Sequence, residues 1–110
     1  MAIDLHRLAE ERSIAYHRVI AARMAVDPNV LEQARRRVHH WLACADVPPY
    51  YALAWDEILS GDPRSIAEFL VDRGEHAREL RQSSPFAGAL TARERWQIWR
   101  REGADCDSKT

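Results

Sequence analysis

Two segments place an arginine and a histidine five residues apart: Arg12-Ser-Ile-Ala-Tyr-His17 and Arg35-Arg-Arg-Val-His-His40. Such a pair is competent for RNA cleavage, with the imidazole moving a proton and the guanidinium holding phosphate charge. The chain carries fifteen arginines and five histidines, so these spacings arise without selection. Arg12 also falls on an apolar stripe, where a salt bridge or an edge position is the plainer expectation. His40 and Cys44 stand four apart, a zinc-compatible spacing, but two ligands are not a site. Asp72 and His76 have the same spacing with Gly74 between them, which breaks the helix they would need. Ser83 and Ser84 precede Pro85 without the strand-to-helix elbow of a serine hydrolase. The four glycines are scattered singly, so no phosphate-cradling loop exists. Cys44 is expected to be buried beside Trp41, and Cys106 lies in a polar tail. No catalytic residue, metal or cofactor is assigned, and the chain reads as a non-enzyme.

The other residues with binding chemistry cluster late in the chain. Arg93, Arg95, Arg100 and Arg101 surround Trp96 and Trp99. Basic side chains among aromatics can stack and neutralise single-stranded nucleic acid. Trp96 and Trp99 are also three apart, the spacing of a helix packed on a core, and core packing is the first expectation for them. The segment before them, Ser83-Ser-Pro-Phe-Ala-Gly-Ala-Leu90, is a loop in which Pro85 stiffens the crossing and Gly88 permits a turn. The candidate interaction surface is therefore Ser83, Ser84, Pro85, Phe86, Arg93, Arg95, Trp96, Trp99 and Arg100. Phe86 decides its character: buried, the loop is a clasp; exposed, it is a docking site.

The elements that must position these residues are helices. From Ile3 to Val26 there is no glycine or proline, and Leu5, Leu8, Arg12, Ala15, Val19, Ala22 and Val26 recur at three- and four-residue steps. Asp27-Pro28 restarts the chain as cap and first turn of a second helix, with Leu31, Ala34, Val38, Trp41, Leu42 and Ala45 inward. Asp46-Val-Pro-Pro49 ends it. A third helix spans 49–60, with Tyr51, Trp55, Ile58 and Leu59 inward and Gly61 just past its end. Asp62-Pro63 opens a fourth, in which Ser65 and Glu68 have capping-box spacing and Gly74 is the stop. A short helix follows over 75–82. Thr91 and Glu94 form another capping box, opening a last helix to about Glu102. The expectation is all-α: one compact domain, residues 1–102, of five or six helices in an orthogonal or irregular bundle, with 103–110 as a flexible tail.

At 110 residues and a net charge of -1, nothing global draws the chain to nucleic acid or acidic lipid. Fifteen of its sixteen basic residues are arginine, a bias expected of a GC-rich bacterial gene. No signal peptide or membrane span is evident and the two cysteines are not paired by spacing, so a reduced, cytoplasmic protein is expected.

The motifs Tyr51-x3-Trp55-x2-Ile-Leu-x-Gly61, Arg81-Gln-Ser-Ser-Pro-Phe-Ala-Gly88 and Glu94-Arg-Trp-Gln-Ile-Trp-Arg100 resemble a group of small, all-helical, uncharacterised bacterial proteins. The likeness runs over residues 34–101. Genes of that group often sit beside toxin-like or nucleotidyltransferase-like partners, so the resemblance implies a toxin–antitoxin type of partnership and transfers no site residue. The leading expectation is a non-enzymatic protein-interaction module, an antitoxin or accessory subunit binding a toxin encoded nearby, with a homodimer as a further option. One alternative is a toxin ribonuclease, since the Arg-x4-His spacing is similar to that of HEPN-class enzymes. Another is a DNA-binding regulator, with the break at Gly61-Asp62-Pro63 as the turn between two short helices. Few base-reading side chains on 64–74 weigh against that alternative.

Overall fold

The computed structural model describes residues 5–108, and their side chains as far as residue 103. Six helices follow in order: α1 Leu5–Val26, α2 Pro28–Cys44, α3 Pro49–Leu59, α4 Pro63–Leu70, α5 Glu75–Arg81 and α6 Ala92–Ser108. No strand occurs among the described residues. The radius of gyration is 14.5 Å, close to the roughly 13 Å of a folded chain this long. The helices build one all-α domain.

Local chemistry sets most helix boundaries. Asp27 caps α2 by accepting from the Asn29 backbone N–H at 3.0 Å, with Pro28 in the first turn. Ala45 closes α2 in the left-handed region (φ 53°) and donates its N–H to the Trp41 carbonyl. Thr91 and Glu94 form the expected reciprocal cap of α6, with N–H donations of 3.0 and 3.1 Å to each other's side chains. Asp62-Pro63 opens α4 as expected, but the Ser65–Glu68 capping box does not form. Asp62 is the cap, accepting from the Ser65 backbone N–H and from its hydroxyl, which holds the Asp62 carboxyl below its usual range. Ser65 therefore donates rather than caps, and Glu68 pairs with Arg64 instead of reaching back. The helix also stops at Leu70, short of Gly74, because the Asp72 carboxylate takes the Gly74 N–H in a tight turn.

The core centres on Trp55, whose indole N–H donates to the Leu80 carbonyl at 3.1 Å. Phe69 and Phe86 meet its ring edge-on, at 5.7 and 6.2 Å. Helix α3 pairs with α2, while α1 packs against α2, α4 and α6. The inward face of α1 is turned from the expected stripe. Leu8 and Ala15 are buried with Ile14, His17, Ile20 and Met24, whereas Leu5, Ala22 and Val26 are exposed. Leu42 and Ala45 of α2 are exposed too, and so is Cys44, against the expectation that it would be buried beside Trp41. Helix α6 runs to Ser108, well past the expected end. Gly103 is not a stop there: a Cβ on it would stand 2.8 Å from the Arg12 guanidinium, so it permits a close approach to α1.

Candidate functional site

The loop between α5 and α6 is fastened by side chains rather than by a backbone ladder. Pro85 is buried and Phe86 is only 3% exposed, seated against Trp55. His17 Nε2 meets the Ser84 hydroxyl at 2.8 Å. Arg23 donates to the Ala89 carbonyl at 3.0 Å, and Arg37 donates to that of Ala87. Gly88 turns the chain at φ +92°, a conformation that side-chain-bearing residues resist. Ser83 and Ser84 are half-buried. The loop is a clasp, and its share of the expected surface lies largely inside the molecule.

The opposite holds for α6. Among its described side chains, Ile98 is the one buried in the core. Trp96 and Trp99 are 55% and 41% exposed, against the expectation that they would close over the core. Three residues apart on a helix, they share one face, and Ile98 points away from it. Their rings stack at 5.1 Å with an interplanar angle of 12°. The Arg12 guanidinium covers the other side of Trp99, 3.8 Å from the ring centroid, and its Nε donates to the Trp99 carbonyl. The result is a layered Arg12–Trp99–Trp96 stack. Arg93, Arg95, Arg100 and Arg101 are exposed along the same helix, while Glu94 is engaged by Arg23. The surface around the stack is thus aromatic and net positive.

Beneath the clasp, between α1 and the 83–90 loop, lies a cavity of about 300 Å³. Its polar lining includes Ser13, His17, Arg81, Ser84 and Arg95. His17 is 5% exposed and its Nδ1 lies 2.7 Å from the Ser13 carbonyl. A carbonyl only accepts, so Nδ1 carries the proton. Burial, reinforced by the positive charges of Arg81 and Arg95, pushes the imidazole pKa down to about 4, although the Ser13 bond opposes the shift. The ring is neutral, Nε2 is an acceptor, and the Ser84 hydroxyl donates to it. Ser84 Oγ in turn accepts the Phe86 N–H at 3.2 Å. An oriented base on a serine hydroxyl is the geometry of an activated nucleophile, here used to hold the loop. Arg81, 5% exposed, donates from Nη1 to the Leu70 and Asp72 carbonyls at 3.3 and 2.6 Å. Its Nε and Nη2 have no hydrogen-bond partner, and burial pulls its pKa below the ordinary arginine value.

In each Arg-x4-His pair the two side chains take different partners. Arg12 turns to α6 while His17 turns under the clasp. Arg35 donates to the Leu59 carbonyl, and His40 sits 2.9 Å from Asp46 at the exposed end of α2. His40 Nδ1 also approaches Cys44 Sγ at 3.7 Å, yet no group of three potential metal ligands gathers among the described residues. Asp72 holds Gly74, and His76 packs edge-on against Phe69. Cys106 lies where side chains are not described. On α4 the side chains of Arg64 and Glu68 pair with each other in solvent. No described helix is long and apolar enough to cross a membrane. Sequence reasoning misses the cavity because His17 and Ser84 are 67 residues apart. The available signal is a histidine amid the apolar Ile14, Ala15 and Ile20, a position that demands a partner.

Comparison with family models, with curated proteins and with solved structures finds no match.

Proposed function

We propose that this chain is a non-enzymatic interaction module that docks an acidic, aromatic- or aliphatic-bearing segment of another protein on the solvent face of α6. The observation that supports this is the Arg12–Trp99–Trp96 stack, which leaves two large aromatics exposed side by side on one helix. Tryptophan and arginine are the residues that dominate interface energetics, because rigid rings and planar guanidiniums lose little entropy on binding. Exposed Arg93, Arg95 and Arg100 favour a negatively charged partner, and Glu94 does not offset them because Arg23 engages it. An antitoxin-type or accessory subunit is the specific form of this reading, and it rests on the resemblance over residues 34–101. The serine–histidine pair supports no enzymatic reading of its own, since both groups have structural bonds to satisfy.

The test is co-purification at native expression, followed by titration of the purified partner with the double variant Trp96→Ser/Trp99→Ser. Loss of at least tenfold in affinity, with unchanged helicity, is expected, together with weakening as salt rises. Unaltered affinity of the double variant, or tighter binding of single-stranded RNA than of any co-purified protein, defeats the proposal.

A further inference from the structure

A carboxylate, an imidazole and a thiol stand in series at the end of α2, and all three are exposed rather than spent on the core. His40 and Cys44 are four residues apart in the last turns of the helix, a spacing that sets two side chains one above the other on one face. Cys44 Sγ lies 3.7 Å from His40 Nδ1, within hydrogen-bond reach of a sulfur. Ala45 then leaves the helix in the left-handed region, and Asp46, the next residue, brings Oδ2 to 2.9 Å from His40 Nε2. A carboxylate only accepts, so Nε2 carries the ring proton and Nδ1 turns its lone pair to the thiol. Carboxylate, imidazole and thiol in this order make an activated nucleophile, in which the base is itself oriented by a third group.

A small reagent can reach the sulfur. Cys44 is a free, exposed thiol, and the side chains of His40 and Asp46 are 64% and 49% exposed. The rest of the neighbourhood does not favour a standing thiolate. Cys44 sits in the last turn of α2, where the unpaired carbonyls carry partial negative charge. The basic side chains one turn before His40 are engaged elsewhere: Arg36 pairs with Glu32, and Arg37 donates to the Ala87 carbonyl. Reactivity at Cys44 therefore depends on His40, which takes the thiol proton as the sulfur attacks.

We propose that Cys44 is a redox-modification site, oxidised to a sulfenic acid by hydrogen peroxide, with His40 as the base and Asp46 as the residue that positions it. In the step, the Sγ–H proton passes to His40 Nδ1, and a sulfur lone pair forms the S–O bond as the peroxide O–O bond breaks. The departing hydroxide takes that proton back from His40 and leaves as water. Sulfur loses the two electrons that the peroxide gains, so thiol and peroxide become sulfenic acid and water. The site uses no residue of the α6 face, so this proposal and the docking proposal are tested apart.

The test is the rate at which the folded chain reacts with hydrogen peroxide near neutral pH. Sulfenic acid is trapped with dimedone and quantified by mass spectrometry on the Cys44 peptide, which is read apart from that of Cys106. The same chain unfolded in urea is the reference, since there the three groups are no longer held together. Folded Cys44 should react at least about fivefold faster than this reference, less than the roughly hundredfold or more of a general base in a closed site. His40→Gln should bring the folded protein to the reference rate or below it, because the carbonyl end of α2 then acts unopposed. Asp46→Asn should slow the reaction at least about threefold, while Asp46→Glu, which restores the carboxylate, should keep most of the parent rate. All these positions are exposed, so circular dichroism should show unchanged helicity. Folded Cys44 reacting no faster than the reference overturns the proposal, as does a His40→Gln or Asp46→Asn protein that reacts as fast as the parent. Asp46→Glu as slow as Asp46→Asn removes the positioning role of Asp46.

Discussion

The neutral, buried His17 makes the stability of this protein depend on pH in a defined window. In the unfolded chain its imidazole titrates at its ordinary 6.5, and in the folded one at about 4. Above pH 6.5 both states hold it neutral and it contributes no pH dependence. As pH falls from 6.5 toward 4 the unfolded state binds a proton that the folded state refuses, so stability drops. Integrating that difference gives a loss of about 2 kcal/mol by pH 5 and about 3 kcal/mol by pH 4, with little further loss below. Against a total of roughly 5–15 kcal/mol for a domain, that is a large fraction. The perturbation is His17→Gln, which keeps an acceptor for the Ser84 hydroxyl but cannot titrate. Urea unfolding of both proteins from about pH 4 to about pH 8 should show the glutamine variant less stable at neutral pH, by about 1 kcal/mol for the lost bond and altered packing. The gap should then close and reverse as pH falls, because carboxylate titrations common to both proteins cancel. Parallel profiles across the window would refute the reasoning, and so would an NMR titration of the His17 ring centred near its ordinary 6.5.

Two further substitutions separate the clasp from the exposed helix face. Phe86→Ala should cost about 3–5 kcal/mol in urea unfolding, as expected when a buried aromatic leaves a cavity, while Trp96→Ser should stay within about 1 kcal/mol of the parent. A Phe86 change of under about 1 kcal/mol would mean the loop does not hold the core. Gly88→Ala should cost about 1–2 kcal/mol from its positive φ, since the added methyl meets nothing closer than 3.7 Å. Thermal unfolding reads that loss, and an unchanged midpoint would place the strain elsewhere.

What is legible in the sequence is whatever local chemistry decides. Asp27-Pro28 and the Thr91–Glu94 pair announce their helix starts because the capping atoms lie within three residues of the N–H groups they serve. The Ser65–Glu68 pattern misleads because Asp62 is available three residues before Ser65 and its carboxylate accepts two bonds at once. Periodicity marks α1 as a helix but not which way it faces. Ile14 and Ile20 flank the stripe, and only the positions of α4 and α6 decide between them. The last helix continues past Glu102, where Gly103 lies close against the Arg12 guanidinium from the other end of the chain. Trp96 and Trp99 have core spacing and surface placement, since three-residue spacing says that two residues share a face and nothing about what covers it. The cavity is illegible for a similar reason: His17, Arg81 and Ser84 meet only once α1 and the clasp have docked.

That docking has a kinetic consequence. The bonds that fasten the clasp join residues 50 to 67 positions apart, from Arg37 to Ala87, from Arg23 to Ala89 and from His17 to Ser84. The α2–α3 and α4–α5 pairings, by contrast, link neighbours in the chain. Closing so long a loop costs chain entropy before any contact rewards it, whereas neighbouring helices meet early. The middle of the molecule should therefore assemble first, and the seam between α1 and the clasp should be sealed last. Substitutions along that seam would then act on the unfolding rate while leaving the folding rate nearly untouched. The clasp is in this sense a latch on the lifetime of the native state.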